Sequence, residues 1–195
     1  MQLWLADKAK ATKTYGPIKD WDTSKVTDMS ALFKKARAFN EDIGDWDVGK
    51  VTDMTEMFSY AEAFNQDIGD WDVSGVTDMS STFNYARTFN QDIGGWDVAK
   101  VTDLDYTFGR AVFNKDIGDW NTGSVTDMSD MFSQAEAFNQ DIGDWNVGAV
   151  TDMSRIFYRA TLFSQSLGWC TSADLNLAFV ESSCINDCGV TTGDC

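Results

Sequence analysis

A tryptophan recurs every 24 or 25 residues through most of this 195-residue chain, and this period constrains the fold more than any other feature. Six of the seven tryptophans in this series each open a unit with a Val-Thr-Asp-Met sequence (Leu for Met in one unit), two phenylalanines with an alanine between them, and a closing apolar-glycine pair. A fixed period of this length is typical of repeat proteins, in which units bury apolar side chains against their neighbours. The tryptophans are Trp21, Trp46, Trp71, Trp96, Trp120, Trp145 and Trp169.

The spacing inside one unit predicts two secondary-structure elements. Met54, Met57, Phe58 and Ala61 stand at i, i+3, i+4 and i+7, which predicts a helix of about two turns with an aspartate at its N-cap. Residues 69–73 alternate between apolar and acidic side chains, which predicts a short strand. The expected fold class is therefore α/β: a right-handed leucine-rich-repeat-like solenoid with one short strand and one short helix per 25-residue turn, and a parallel sheet on one side.

The two ends of the chain depart from the repeat. We predict an N-terminal capping helix and half-turn over residues 1–20, six repeat units over 21–169, and a cysteine-rich C-terminal cap over 170–195. The cap holds Cys170, Cys184, Cys188 and Cys195, an even number that favours two disulfides with three connectivities open. Four zinc-binding thiolates are the alternative, although only one cysteine pair approaches zinc-site spacing. Disulfides would place the protein outside a reducing cytosol.

The units resemble those of a known family. The pattern Trp-Asp-Val-x-x-Val-Thr-Asp-Met-Ser-x-x-Phe, followed by Ala-x-x-Phe-Asn-Gln-Asp-Ile, is similar to the repeats of BspA-like leucine-rich repeat surface proteins. The same 25-residue repeat is known as a domain of unknown function in mycoplasma lipoproteins. The resemblance covers about residues 15–169. It implies a horseshoe-like repeat fold, placement at the cell surface or in the medium, and adhesion, with no catalytic residues and no agreed ligand.

Aspartates beside each tryptophan form the candidate ligand-binding surface, which we call the acidic face. They repeat once per unit, so neighbouring carboxylates would stack and repel one another. Three interpretations follow: a solvated surface, a calcium site built from Asp45, Asp47, Asp70 and Asp72, or a surface that binds a basic protein or a hydroxyl-rich glycan. The candidate residues are Asp45, Asp47, Asp70, Asp72, Asp97, Asn121 and Asn146.

Other repeated polar residues are interpreted as structural. The aspartate of each Val-Thr-Asp-Met sequence suits an N-cap, and its threonine suits a hydroxyl bond to neighbouring backbone. One asparagine per unit, from Asn40 to Asn139, resembles the asparagine ladder of leucine-rich repeats. The aspartates two residues later, from Asp42 to Asp141, are interpreted as turn residues. Departures from the repeat gather around Asp105, Tyr106, Gly109 and Arg110, where we find no nucleophile–base pair.

Charge and composition exclude several classes of function. A net charge of −16 and a pI near 4.1 argue against nucleic-acid binding, and no apolar run is long enough to span a membrane. The chain has no histidine, which removes Ser-His and Cys-His catalysis. Hydrolysis by paired carboxylates stays open only if a cleft exists, for example between the N-terminal helix and the first units.

We therefore expect a monomeric, non-catalytic extracellular module for adhesion or ligand binding to a protein, glycan or matrix through the acidic face. The alternative is a structural or mineral-associated surface protein that binds Ca²⁺. We expect no other cofactor.

Overall fold

The computed structural model describes residues 2–184 and 186–192. Helices α1 (Gln2–Ala6) and α2 (Lys8–Tyr15) open the chain, followed by a 3-10 turn at Ile18–Asp20. Helix α2 begins where the Asp7 side chain accepts a hydrogen bond from the Lys10 amide at 2.9 Å. It ends at Gly16, whose φ of 78° is the left-handed conformation that glycine adopts without strain.

The repeat units contain neither of the two elements that their spacing predicts. Between residues 21 and 169, the structure has no α-helix and no β-strand. The helix predicted over 54–61 and the strand predicted over 69–73, with their counterparts in other units, are therefore wrong. The burial that the pattern implies is nevertheless correct, since Met54, Met57, Phe58 and Ala61 are all fully buried.

The physical reason is that half of the backbone amides in this segment bind another unit. In the unit that starts at Trp46, the amides of Met54, Glu56, Phe58 and Tyr60 donate to carbonyls of the following unit at 2.8–3.0 Å. The amide of Thr55 donates to the Asp53 side chain, and those of Met57, Ser59 and Ala61 donate to carbonyls three residues back, which makes a run of tight turns. A helix would need all of these amides for its own i→i−4 bonds.

The tight turns require left-handed backbone at non-glycine residues. Glu56 and Tyr60 have φ of 55° and 59°, and the equivalent residues of the other units have similar values. This conformation costs on the order of 1–2 kcal/mol per residue. The hydrogen bonds between units, which these residues donate, offset that cost.

Neighbouring units are joined in register along one line of backbone. Isolated parallel bridges link the Val-Thr-Asp-Met aspartates in the order Asp28, Asp53, Asp78, Asp103, Asp127, Asp152 and Asp174. The side chain of each of these aspartates accepts a hydrogen bond from the amide two residues later, at 2.7–2.9 Å. The aspartate therefore caps a turn where we expected it to cap a helix. The right-handed, leucine-rich-repeat-like solenoid stays a prediction.

The last of these bridges reaches a segment in which the repeat is not visible in the sequence. The amides of Met153 and Phe157 donate to the carbonyls of Asp174 and Ala178 at 2.8 and 2.9 Å. Residues 174–180 thus continue the hydrogen-bond pattern as a partial seventh unit.

Aromatic side chains form continuous stacks through the core. The rings of Phe33, Phe58 and Phe83 lie 5.4 and 5.6 Å apart and almost parallel, and the stack continues to Phe179. Each tryptophan from Trp46 onwards donates its indole N–H to the carbonyl of an isoleucine 27 or 28 residues earlier, at 2.9–3.3 Å. Each buried indole therefore satisfies its polar atom across a unit boundary.

The predicted asparagine ladder is present. The side-chain oxygen of Asn40 accepts a hydrogen bond from the Asn65 amide at 2.9 Å, and the same bond recurs at each later unit to Ser164. The threonines also act structurally, because the Thr52 hydroxyl donates to the Thr27 carbonyl at 3.2 Å and its counterparts repeat this bond.

The C-terminal segment is held by short pairing and by disulfides. Strand β1 (Cys170–Thr171) pairs in parallel with strand β2 (Thr191–Thr192), and a 3-10 turn lies at Asn186–Gly189. Cys184 and Cys188 form a disulfide with their Cα atoms 5.0 Å apart, and Cys170 is also disulfide-bonded. Cys195 lies outside the described residues.

The asparagine ladder gives a stability prediction. Asn90→Ala removes the acceptor of the Asn114 amide, which lies at 2.9 Å in a half-buried position. We expect a loss of about 1–2 kcal/mol in the free energy of unfolding, because a partly buried N–H loses its partner. Urea unfolding followed by tryptophan fluorescence measures this loss. Ser164→Ala is the control, since this hydroxyl makes no hydrogen bond among the described residues, and equal losses in both variants would contradict the prediction.

Candidate binding face and the irregular units

The residues predicted to form the acidic face are all exposed, although they lie on turns and not on a strand. The Asp47 side chain accepts a hydrogen bond from the Gly49 amide at 3.1 Å, and equivalent bonds at 3.0–3.2 Å recur at Asp72, Asp97, Asn121 and Asn146. Each of these side chains thus holds a turn in place with one oxygen, and the aspartates have a second carboxylate oxygen that this bond does not use. Asparagine replaces aspartate in two units because it offers the same acceptor.

Carboxylates of adjacent units lie near one another on this face. A Cβ built on Gly49 would lie 3.4 Å from Asp47 Oδ1 and 3.3 Å from Asp72 Oδ2, so both carboxylates border the same small space. Asp45 and Asp70 are exposed and make no side-chain hydrogen bond within the described residues. In that part of the chain, no group of three or more acidic or cysteine side chains is close enough to hold a metal ion.

The sequence prediction of the acidic face does not include the lysines that lie beside it. Lys25, Lys50 and Lys100 follow the face aspartates by three residues and are exposed. Hydrogen bonds from Ser24 hold the pKa of Asp22 below its usual value, and the charges of Lys25 and Lys50 act in the same direction. The sequence signal was present, because these lysines recur at one position of the repeat.

The second aspartate column behaves as turn residues, as predicted. Asp42 accepts a hydrogen bond from the Gly44 amide at 3.1 Å, and the same bond holds in each later unit to Asp141.

Asp105 occupies a position where other units carry serine or threonine, and it is only partly exposed. Burial raises its pKa to about 7; a hydrogen bond from Ser129 opposes this shift, and the charges of Asp127, Asp103 and Asp130 reinforce it. Ser129 Oγ lies 3.0 Å from Asp105 Oδ1 and 2.6 Å from Asp127 Oδ1. One hydroxyl proton serves one acceptor, so a protonated Asp105 that donates to Ser129 completes the network.

Asp130 is the buried acid next to this network, with only 2% of its surface exposed. Arg155 binds it through two nitrogens, with Nη2 and Nε at 2.6 and 2.9 Å from Asp130 Oδ2. Burial raises the pKa of Tyr106, and the charge of Asp130 acts in the same direction. Every charge here has a partner, so the cluster is a structural network and offers no free nucleophile.

An opening between the N-terminal helices and the first unit has a volume of about 190 Å³ and contains Glu41 and Asp42. Glu41 forms an ion pair with Lys8, and Asp42 is bonded to its own turn. A neighbouring opening of about 410 Å³, between the same helices and residues 34–41, has Glu41 as the one carboxylate in its lining, so neither opening presents two unpaired carboxylates. We therefore do not propose hydrolysis at this carboxylate pair.

The comparisons with known proteins give one match. A family model described as a mycoplasma protein of unknown function, DUF285, matches the chain twice, over residues 5–112 and 96–187. No curated protein and no solved structure gives a significant match. Among the residues that the structure describes, no helix has the length and apolarity that a membrane crossing requires.

The raised pKa of Asp105 predicts a pH-dependent stability. In the native state this carboxyl keeps its proton up to about pH 7, whereas in the unfolded chain it ionises near its ordinary value of 3.8. The native state therefore binds more protons between these values, and its stability falls as pH rises through them. Asp105→Ser and Asp105→Asn remove this contribution.

We expect the free energy of unfolding of both variants, relative to that of the wild type, to increase as the pH rises from 4 to 8. Urea unfolding at pH 4, 6 and 8 measures the difference. A difference between variant and wild type that is the same at all three pH values would contradict the assignment.

Proposed function

The chain belongs to the family described as mycoplasma proteins of unknown function, DUF285, and we propose that it is a non-catalytic binding module. In this proposal the acidic face engages an extracellular protein, glycan or matrix. The units coil as a leucine-rich-repeat-like solenoid of the BspA-like type, which presents the face as a regular surface suited to a large or polymeric partner.

The observation that carries the proposal is that the acidic face is not neutralised. The ion pairs of the described residues join Lys8 to Glu41, Lys34 to Glu56, Arg37 to Glu62, Arg155 to Asp130 and Arg159 to Glu181. None of these pairs includes an aspartate of the face. The face aspartates outnumber the lysines beside them, and an excess of exposed negative charge favours encounter with a partner of opposite charge.

The extracellular placement rests on the cysteines. The disulfide between Cys184 and Cys188 and the disulfide-bonded state of Cys170 support it, because such bonds persist in oxidising compartments. Surface placement and adhesion are also what the BspA-like resemblance implies.

A structural, calcium-binding role is the second candidate, and the approach of Asp47 and Asp72 around Gly49 favours it. Calcium takes six to eight oxygen ligands, so two carboxylates would leave most ligands to water or to a partner. A face that binds calcium only weakly by itself is consistent with that arrangement.

The binding proposal is tested with a triple variant, Asp47→Asn, Asp72→Asn and Asp97→Asn. Asparagine keeps the turn acceptor, as Asn121 and Asn146 do in later units, so we expect the melting temperature to be unchanged. The probe is a fluorescein-labelled hexalysine peptide, followed by anisotropy. We expect saturable binding to the wild-type protein and a loss of at least tenfold in affinity for the variant.

The matched control is Asp67→Asn, Asp92→Asn and Asp116→Asn, which removes the same charge from exposed turns of the neighbouring column. This control should bind the probe within about twofold of wild type. Equal weakening in both triple variants would mean that net charge alone attracts the peptide, and the proposed face would be rejected.

Calcium binding is tested by thermal unfolding of the oxidised protein in EDTA and in millimolar Ca²⁺. A native-state calcium site raises the melting temperature by several degrees through mass action, and the face variant should lose this rise. An unchanged melting temperature in wild type would reject the calcium alternative.

A further inference from the structure

A groove on the described surface lies where one repeat unit is shorter than its neighbours. The unit that starts at Trp96 has one residue, Val112, between its alanine and its second phenylalanine, whereas the preceding unit has Arg87 and Thr88 there. The Thr88 hydroxyl donates to the Glu62 and Phe64 carbonyls at 2.9 and 3.2 Å, and the short unit has no counterpart. The resulting groove, of about 990 Å³, is lined by Tyr85, Arg87, Arg110, Val112, Glu136 and Leu162, among others.

Two arginines that line this groove have no acidic partner among the described residues. Arg37, Arg155 and Arg159 each form an ion pair, whereas Arg87 and Arg110 form none. Both are exposed on a chain whose net charge is −16. A guanidinium left unpaired in such an acidic protein is available to a carboxylate of a partner, which it binds with two parallel hydrogen bonds.

The ring of Tyr85 contacts both of these guanidinium groups. The Tyr85 ring stacks on Tyr60 at 4.2 Å, and the guanidinium carbon of Arg110 lies 4.6 Å from the Tyr85 ring centre. That of Arg87 lies 5.7 Å from the same ring centre. Tyr60 and Arg110 come from the units on either side of Tyr85, so they cover its two faces. One ring thus brings two cations together and limits their freedom before a ligand arrives.

The groove is also lined by two exposed aliphatic side chains: Val112, two residues after Arg110, and Leu162, in the last of the four units that form the groove. Val112 is 41% exposed and Leu162 is 60% exposed, both unusually high for aliphatic side chains in this repeat. Glu136 belongs to the unit between those of Val112 and Leu162 and repels a second acidic side chain there. With units about 4.8 Å apart, the groove runs about 14 Å across four units, the length of about four extended residues.

We propose that this groove binds an extended peptide segment of a partner protein, with acidic side chains against Arg87 and Arg110 and aliphatic side chains against Val112 and Leu162. This site is separate from the acidic face and does not depend on that assignment. The two surfaces have opposite charge preferences, since the face suits a basic partner and the groove an acidic one.

A peptide fits the groove better than an anionic sugar. Recognition of a sugar ring uses an exposed aromatic face, and both faces of Tyr85 are covered. Val112 and Leu162 offer an apolar surface to a leucine or valine side chain of the peptide, and burial of that side chain is favourable. A sulfated glycan would also extend its repeated charges past Glu136.

The test uses the full oxidised chain and a fluorescein-labelled peptide of two glutamates followed by two leucines, with anisotropy as the readout. We expect saturable binding that weakens at least tenfold in Arg87→Gln and in Arg110→Gln. The peptide in which glutamines replace the glutamates should lose affinity to the same extent. Both arginines are exposed, and Gln134 already occupies the position equivalent to Arg110 with the same φ of 57°.

Arg37→Gln is the matched control, because Arg37 is the exposed counterpart of Arg87 two units earlier and is paired with Glu62. It should change affinity less than twofold, as should the triple variant of the acidic face. Leu162→Glu, at an exposed position, should weaken binding at least fivefold by placing a charge on the apolar surface of the groove. Circular dichroism and thermal melts establish that each variant is folded.

Three outcomes would overturn the proposal. The first is no saturable binding of the acidic peptide to the wild-type chain. The second is binding that Arg87→Gln and Arg110→Gln leave unchanged, which would place the peptide elsewhere. The third is binding of a sulfated tetrasaccharide that depends on both arginines while the peptide fails to bind, which would make the occupant a glycan.

Discussion

The backbone hydrogen bond between successive units is the interaction on which the rest of this structure depends. In the segment that begins at the methionine of each Val-Thr-Asp-Met sequence, alternate amides donate to the next unit, and most of the remaining amides close tight turns within their own unit. Because the donated bonds recur at every unit, equivalent side chains lie above one another. The phenylalanine stacks, the indole-to-isoleucine bonds and the asparagine ladder all follow from that register.

Regular stacking also separates structural residues from residues available for binding. Side chains that recur in every unit are mostly used within the protein, as the ladder asparagines and bridge aspartates are. Residues free to bind a partner are of two kinds: exposed members of a column, such as Asp72, and side chains at an irregular unit, such as Arg110. In the second case one missing residue opens a groove in an otherwise continuous surface.

Charge is distributed unevenly over this acidic chain. Among the described residues, Lys34 and three of the five arginines are paired with acids of a neighbouring unit or segment, so they support the stacking. Within the described part of the chain, the acidic face has lysines nearby but no ion pairs, and the groove has two arginines that form no ion pair. A module with two such surfaces can hold a basic partner and an acidic partner at once without either competing for the same site.

The period, the buried side chains and the asparagine ladder could be predicted from the sequence, as could a disulfide role for Cys170, Cys184 and Cys188. These follow from residue type and spacing, which a single chain displays directly. The tertiary structure decided the backbone conformation, because i, i+3, i+4 spacing buries the same face in a helix and in a run of tight turns. Only contacts between units make the turns favourable. The structure likewise decided that residues 174–180 extend the stack and that Tyr85 brings Arg87 and Arg110 together, since both depend on positions in neighbouring units that no local pattern records.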